Sequence, residues 1–352
     1  METSWNDPSD LLPRFERGSI ALLVLLVVTA ACSGSGGTEI VTRESPSWPT
    51  FQVSNVPSPA GSYNHPVWIR EQIIVQYEQE LGSAYTARIW RLSSDGAIFE
   101  MLELPKHPSC GPDGVNGFRD VTRLPDGRLS YVVNCAPPDD LIFDKMYVMA
   151  LNTVTGNIDQ LLDYPLPTFS VGTGGIQWNR RMDKALMGNG RAYIEEQMYL
   201  FSDEGFDLLD VGLRQAYGPS WSPNGNEIAF IGSKEQGAPL KFSDLELYLM
   251  DPAGENVRLL SDGLRITPGV SWSPDGKWLV FPAVFRAGEG EVQGLWLADP
   301  ATGERTLIAE GSFGIPDWSP DSERIVVVEF VGPPADSDDR IRIITLQDAV
   351  SD

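Results

Sequence analysis

A six-residue motif that occurs three times constrains the fold of this chain more than any other feature. The copies are SWSPNG at 220–225, SWSPDG at 271–276 and DWSPDS at 317–322. Proline presets φ at the first central position of a type I turn, Asp or Asn suits the next position, and Gly relieves strain at the exit. A short run of β-branched and aromatic residues follows each copy, so each motif predicts a β-hairpin.

Weaker copies extend the repeat towards the N-terminus. The anchor positions are Trp68, Arg123, Trp178, Trp221, Trp272 and Trp318, spaced by 55, 55, 43, 51 and 46 residues. A second landmark, an aromatic residue in the third strand, recurs once in each of the first five units, as Trp90, Tyr147, Tyr199, Tyr248 and Trp296. Units of this length match the four-stranded antiparallel blade of a propeller. The sequence therefore predicts an all-β, six-bladed β-propeller over residues 51–352.

The last repeat unit is too short to complete its own blade. Its third strand is predicted over 340–346, and only residues 347–352 follow it. An open sheet edge invites aggregation, so we expect residues 51–54 to supply the outer strand of the last blade. The alternative is an incomplete last blade, with residues 51–56 as a linker.

The N-terminal region has the layout of a secretory signal peptide. Residues 20–31 form a run of 12 residues that is apolar except for one Thr. This run is too short for a membrane-spanning helix, which needs about 20 apolar residues. Arg14 and Arg17 precede it and two alanines end it. We predict a signal peptide over 1–31 and a flexible tether over 32–50, whose residues 33–37 are Ser and Gly.

The end of the signal peptide, Thr29-Ala30-Ala31-Cys32, resembles the lipobox of bacterial lipoproteins. In that family the cysteine becomes the lipidated first residue of the mature chain. The resemblance implies that Cys32 carries a lipid anchor and that the protein is extracytoplasmic, held on the bacterial cell membrane by the lipid alone. The alternative is an ordinary secretory signal followed by a chance cysteine.

The two remaining cysteines, Cys110 and Cys135, form an even pair. Export would place them in an oxidising compartment, which favours a disulfide between them. Two buried thiols are the alternative, because cysteine also serves as a small buried hydrophobe. No cluster of Cys and His residues indicates a zinc site, and we predict neither a metal nor another cofactor.

The Trp-Ser-Pro-Asp-Gly turn, followed by a β-run and an aliphatic–aromatic strand, resembles the WD-like repeats of TolB-like propellers. These repeats also occur in the propeller domains of prolyl oligopeptidase relatives. The resemblance is clearest over 217–349 and extends more weakly over 64–210. It implies a fold and a structural role for the repeat residues, but no activity.

No catalytic residues can be assigned from the sequence. The prolyl oligopeptidase relatives that share these repeats attach a hydrolase domain, which carries a Gly-x-Ser-x-Gly motif and a His near its C-terminal end. This chain contains no such motif, and its two histidines are His65 and His107. The predicted function is a non-catalytic recognition scaffold, with a carbohydrate- or peptide-processing enzyme acting at the channel mouth as the alternative.

The charge of the chain limits the partners. It has 26 Lys and Arg against 49 Asp and Glu, a net charge of −23. This excludes a general binder of nucleic acid or of anionic membrane surfaces, which attract phosphate with Lys and Arg. The predicted partner of this propeller, expected to be monomeric, is an envelope protein, a peptide or a glycan.

Contact residues are expected in the non-repeating loops, because function is concentrated there. Aromatic residues just before the inner strands are predicted to line the channel mouth, and these are Tyr63, Phe169, Tyr217 and Phe313. The acidic loops around residues 139–140 and 336–339 leave a structural calcium ion as an open alternative.

Overall fold

The computed structural model describes twelve segments, residues 48–81, 84–105, 107–110, 115–136, 145–166, 175–188, 198–234, 245–261, 264–266, 269–287, 290–332 and 339–347. The chain divides into two units, Met1–Ser45 and Pro46–Asp352, and the described residues lie in the second. The predicted signal peptide, Cys32 and Phe169 lie outside them. Among the described residues, no helix is both long enough and apolar enough to span a bilayer.

The described residues form 25 β-strands in six antiparallel sheets, and each sheet is one blade of a propeller. Blade 1 consists of β2 (Ser62–Ile69), β3 (Gln72–Leu81), β4 (Ala84–Ser93) and β5 (Phe99–Met101). Blade 2 consists of β6 (Val115–Arg123), β7 (Leu129–Ala136), β8 (Lys145–Leu151) and β9 (Ile158–Gln160). Blade 3 consists of β10 (Gln177–Trp178), β11 (Ala185–Gly188), β12 (Met198–Ser202) and β13 (Gly205–Leu209).

The second half of the ring repeats this order. Blade 4 consists of β14 (Gln215–Trp221), β15 (Ile228–Ser233), β16 (Glu246–Met250) and β17 (Arg258–Ser261). Blade 5 consists of β18 (Leu264–Ile266), β19 (Ser271–Trp272), β20 (Leu279–Ala287), β21 (Gly290–Ala298) and β22 (Arg305–Glu310). Its inner strand is split, since β18 and β19 both pair with β20. Blade 6 consists of β23 (Asp317–Trp318), β24 (Arg324–Glu329), β25 (Arg340–Gln347) and β1 (Thr50–Asn55). The predicted six-bladed architecture is confirmed.

The N-terminal strand closes the ring as the sequence predicts. β1 pairs antiparallel with β25, from Thr50 opposite Gln347 to Asn55 opposite Arg342. Just before it, Trp48 stacks on Trp278 of blade 5, with ring centroids 5.0 Å apart. The last blade is therefore complete, which excludes the alternative of an unpaired linker at this position.

Hydrophobic clusters lie between neighbouring blades. Between blades 1 and 2, for example, Ile74 and Ile89 pack with Tyr131 and Val133. The anchors Trp68 and Trp318 and the third-strand Tyr248 are almost fully buried, with 0%, 0% and 1% exposure. The repeated aromatic residues therefore form the core between the blades, in agreement with the structural role implied by the repeat.

Cys110 and Cys135 form a disulfide, with Cα atoms 4.9 Å apart. Cys135 belongs to β7, and Cys110 belongs to the segment that connects blade 1 to blade 2. Both residues are buried. The bond fixes this connection to the second blade, as the sequence predicts.

Candidate functional site

The inner strands surround a central channel of about 730 Å³. Its lining combines the ends of these strands with the turns that follow them. All six blades contribute, and in ring order their lining residues include Arg70, Arg123, Arg180, Pro223, Trp272 and Asp317. This channel is a concave feature to which all six blades contribute, so it is the candidate site.

A left-handed residue interrupts the inner strand in five of the six blades, three positions before the anchor. Glycine occupies this position in blades 3, 4 and 5, where φ is 68° at Gly175, 60° at Gly218 and 121° at Gly269. Space is also limited, since a Cβ atom at Gly269 would lie 2.6 Å from Cγ1 of Ile315. In blades 1 and 2 the same conformation is adopted by His65 and Asp120, with φ of 48° and 53°.

His65 combines backbone strain with an unpartnered polar atom. A non-glycine residue in the left-handed region is strained because its Cβ atom approaches the following carbonyl oxygen. The His65 side chain lines the channel, and its buried Nδ1 has no hydrogen-bond partner among the described residues. A position that glycine would fill at lower cost thus presents an imidazole to the channel, which points to a use other than folding.

Replacing His65 with glycine is expected to raise the free energy of unfolding by about 1 kcal/mol, because the left-handed strain is removed. His65→Ala is the matched control, since alanine removes the imidazole and keeps the strained backbone. Denaturant titration of both variants measures the effect. An equal gain from alanine would contradict the strain argument.

Two departures from the repeat meet across the channel. Arg123 replaces the anchor Trp in blade 2, and Asp317 replaces the preceding Ser in blade 6. Nη1 of Arg123 donates to the Trp318 carbonyl at 2.8 Å, and its Nη2 lies 3.9 Å from Oδ1 of Asp317. Oδ2 of Asp317 accepts the Trp68 N–H at 2.8 Å. The Arg123–Asp317 pair therefore connects blades 1, 2 and 6.

The environment of Asp317 explains why the pair is needed. Burial raises the pKa of the Asp317 carboxyl above its ordinary value, because desolvation disfavours the charged form. The Arg123 charge and the Trp68 N–H act in the opposite direction and stabilise the carboxylate. Both side chains of this pair are thus committed to holding the inner strands together.

Arg324 of blade 6 is also committed to partners within the protein. Its guanidinium lies 3.1 Å from Oδ2 of Asp321 and 3.7 Å from Oε2 of Glu71. It also stacks over the Trp68 ring, at 4.8 Å from the centroid. Glu71 belongs to blade 1, so this arginine joins the first and last blades near the channel.

Two further arginines line the channel without such partners. Arg70 and Arg180 are exposed, and neither forms a hydrogen bond or ion pair with any residue in the described segments. Arg70 lies in the two-residue turn between β2 and β3, with φ of 60°. Arg180 stands two positions after its anchor, where the other full-length turns carry Pro125, Pro223, Pro274 and Pro320.

The lining has a charge balance opposite to that of the whole chain. Its described residues include four arginines against three carboxylates, whereas the chain carries a net charge of −23. A channel with low-dielectric walls concentrates the field of its lining charges. The two unpaired arginines therefore make this channel a local attractor for negative charge.

Three of the four contact residues proposed from the sequence lie outside the channel lining. Tyr63, Tyr217 and Phe313 are buried among core clusters, with 0%, 1% and 4% exposure, and none lines the channel. Burial raises the pKa of Tyr63 to about 12, and its hydroxyl donates to the Pro59 carbonyl. Their role in binding, like that of Phe169, stays a prediction, and the candidate site is built from other residues.

Three of the arginines that line the channel carry a recognisable signal in the sequence. Arg70, Arg123 and Arg180 stand at or just after anchor positions, where they depart from the Trp-x-Pro pattern of the repeat. The turn carrying Arg180 keeps the usual length and carries Asn179 in the place of the turn serine. The turn keeps its length although its side chains differ from those of the other turns, so the fold does not require an arginine at position 180.

In the described segments no group of three or more His, Cys, Asp and Glu side chains is arranged to hold a metal ion. Asp339, from one of the predicted acidic loops, accepts the Tyr63 backbone N–H at 3.1 Å. The other acidic loop residues, at 139, 140, 336 and 338, lie outside the described segments. The calcium alternative therefore stays untested.

Comparison with solved structures supports the fold. The chain is similar to a protein assigned as TolB from Agrobacterium tumefaciens, with a TM-score of 0.52 and 18% identity, over 84% of this chain and 98% of that chain. At this identity the likeness shows the fold alone. The protein thus has the architecture of TolB-like six-bladed propellers.

Sequence comparison finds partial matches. The chain is 30% identical to dipeptidyl-peptidase 5 of Porphyromonas gingivalis over 112 residues, which are 30% of this chain and 16% of that enzyme. It is 27% identical to an uncharacterized protein of Agrobacterium fabrum over 175 residues, 47% of this chain and 53% of that protein. The chain therefore spans only part of the length of these curated relatives. No protein-family model matches it.

Proposed function

We propose that this protein is an extracytoplasmic recognition scaffold that binds a peptide segment of an envelope partner in its central channel without cleaving it. The observation that carries the proposal is the channel itself, whose lining contains side chains that the repeat does not need. A scaffold fold can acquire a binding site when its blades repeat one geometry while the side chains that line the channel differ from blade to blade.

The size of the channel favours a segment over a folded domain. Its volume of about 730 Å³ falls within the range of pockets that enclose small ligands. A few residues of extended chain fit such a volume, and an intact domain does not. Backbone and side-chain contacts from six blades would then surround the segment on all sides.

The aromatic residues of the lining argue for a peptide over a glycan. Sugar rings are commonly bound on exposed aromatic faces, which provide a flat apolar platform. Trp178 and Trp272 are only 8% and 7% exposed, and the Trp221 indole donates to the Gln177 carbonyl. Two of the three tryptophans in the described lining, Trp178 and Trp272, are therefore largely covered and offer no platform for a sugar.

A membrane anchor is the second part of the proposal. The lipobox-like segment supports it, because Cys32 directly follows a signal-like apolar run. The disulfide supports an oxidising compartment. Fractionation of cells that carry the full chain tests the anchor, which Cys32→Ser is expected to abolish.

A peptide-processing enzyme remains a second candidate, supported by the similarity of part of the chain to dipeptidyl-peptidase 5. The two candidates differ in the fate of the peptide. A scaffold releases the peptide intact, whereas a peptidase releases fragments.

A mixture of randomised decapeptides incubated with the full chain distinguishes the candidates. We expect a subset of peptides to be retained and eluted at full length, as read by mass spectrometry. Pro223→Trp, which narrows the channel, is expected to abolish retention. Pro252→Trp, the same change at a turn outside the channel lining, is the matched control. Fragments in the eluate would favour the enzyme, and equal retention by both variants would place binding outside the channel.

A further inference from the structure

We propose that the ligand in the channel carries a carboxylate, which binds between the Arg70 and Arg180 guanidinium groups. This inference rests on the proposed function and specifies the chemistry of the peptide. It begins with the charge balance of the lining, where two arginines are committed to internal partners and two are not.

Two of the lining arginines, Arg123 and Arg324, contact polar or charged groups of the protein itself. Arg123 reaches the Trp318 carbonyl and Asp317, and Arg324 reaches Asp321 and Glu71. These two arginines account for all three carboxylates of the described lining. The charges of Arg70 and Arg180 are consequently left without a counterion among the described lining residues.

The two uncompensated arginines flank one blade. Arg70 belongs to blade 1 and Arg180 to blade 3, on either side of the blade that contributes Arg123. The planar guanidinium presents paired N–H donors that match the two oxygens of a carboxylate. A carboxylate at this side of the mouth would therefore meet donors from two directions.

The other side of the lining has a different chemistry. Blades 4 and 5 contribute the half-buried prolines Pro223 and Pro274 to the same channel. A ligand that presents a carboxylate to blades 1 and 3 would place its adjacent apolar groups against these residues. An acidic peptide with apolar neighbours matches both halves of the lining.

The turn in blade 3 also shows that Arg180 is not a folding requirement. Proline at the equivalent turn positions presets the backbone, and four of the other blades have it. Arginine at position 180 does not fix the backbone φ as proline does, although the turn has the same length. Its neighbour Arg181 is also exposed and does not line the channel, which provides a control of the same charge in the same turn.

Three pools of randomised hexapeptides, offered to the full chain, test the inference. One pool has free C-termini and includes Asp and Glu, one is C-terminally amidated, and one has Asn and Gln in place of Asp and Glu. We expect carboxylate-bearing peptides to be enriched at least tenfold over their neutral counterparts. Loss of enrichment in the amidated pool identifies the terminal carboxylate, and loss in the Asn/Gln pool identifies the side chain. Either result supports the proposal.

Variants separate the site from general electrostatics. Arg180→Pro introduces the residue of the equivalent turns and is expected to weaken the binding of enriched peptides about tenfold or more. Arg70→Gln is expected to have a similar effect. Arg181→Gln removes the same charge and is expected to change affinity less than about twofold, since exposed charges outside a site interact weakly through solvent.

The outcomes distinguish this inference from the function on which it rests. Retention of peptides without carboxylate preference, or with enrichment of Lys and Arg, overturns the carboxylate site and leaves peptide recognition intact. Retention of no peptide from any of the three pools overturns both.

Discussion

A chain that lacks residues 1–55 is expected to lose about 4–6 kcal/mol of unfolding free energy, taking about 1 kcal/mol for each lost backbone hydrogen bond. The deleted part includes β1, which pairs with β25 along all six of its residues. Its removal also separates Trp48 from Trp278 and takes Phe51 from the neighbouring cluster. The exposed edge of β25 then offers unpaired groups to other chains.

Denaturant titration and light scattering measure this effect. The matched control is a chain that begins at Pro46, which lacks the first unit and keeps β1. We expect the control to unfold at the same denaturant concentration as the full chain and to remain dispersed. Equal stability of the two truncated chains would contradict the closure of the ring by β1.

Replacing both Cys110 and Cys135 with alanine is expected to lower the unfolding free energy by about 3–4 kcal/mol. The disulfide closes a segment with a sequence separation of 25 residues. In the chain-entropy model, loss of the bond increases the conformational entropy of the unfolded chain and so stabilises the unfolded state. The bond also ties the connection between blades 1 and 2 to β7 of blade 2.

Reduction of the unmodified protein should reproduce this loss, and reductant should have no effect on the double variant. Cys32→Ala, which leaves the pair intact, is the cysteine control and is expected to retain the stability of the unmodified chain. A double variant as stable as the unmodified protein would show that the bond contributes nothing to the fold.

The architecture could be predicted because the blades repeat a similar turn motif and β-rich run. The turn residues at 222–225 and 273–276 fix where hairpins reverse, and the β-rich runs beside them fix which residues pair. The last blade takes three strands from its own repeat unit, and the pairing of β1 with β25 supplies the fourth, as expected for residues 51–54. Local turn chemistry and the need to close a ring were sufficient for these predictions.

The direction of side chains before the anchors could not be predicted in the same way. Their position just before the inner strands suggested that Tyr63 and Tyr217 would line the channel mouth. The pairing register shifts between Asn64 and Val67 in β2, and between Tyr217 and Ser220 in β14. Such an irregularity changes which face the preceding residues occupy. These tyrosines are consequently buried between the blades.

Which of the channel arginines have partners within the protein could be learned only from the closed ring. The sequence shows that Arg70, Arg123 and Arg180 depart from the repeat, but not which of them have partners. The contact between Arg123 and the Trp318 carbonyl joins residues 195 positions apart. Only the closed propeller brings blades 2 and 6 to the same channel and leaves the other two arginines uncompensated.

The measurement that tests the account most directly is modification of arginines with phenylglyoxal, followed by mass spectrometry, with and without a retained peptide. Arg70 and Arg180 are expected to react in the free protein and to be protected by the peptide. Arg181, exposed outside the channel, is expected to react equally in both states. Protection of Arg181, with unchanged reactivity of Arg70 and Arg180, would contradict recognition through the channel.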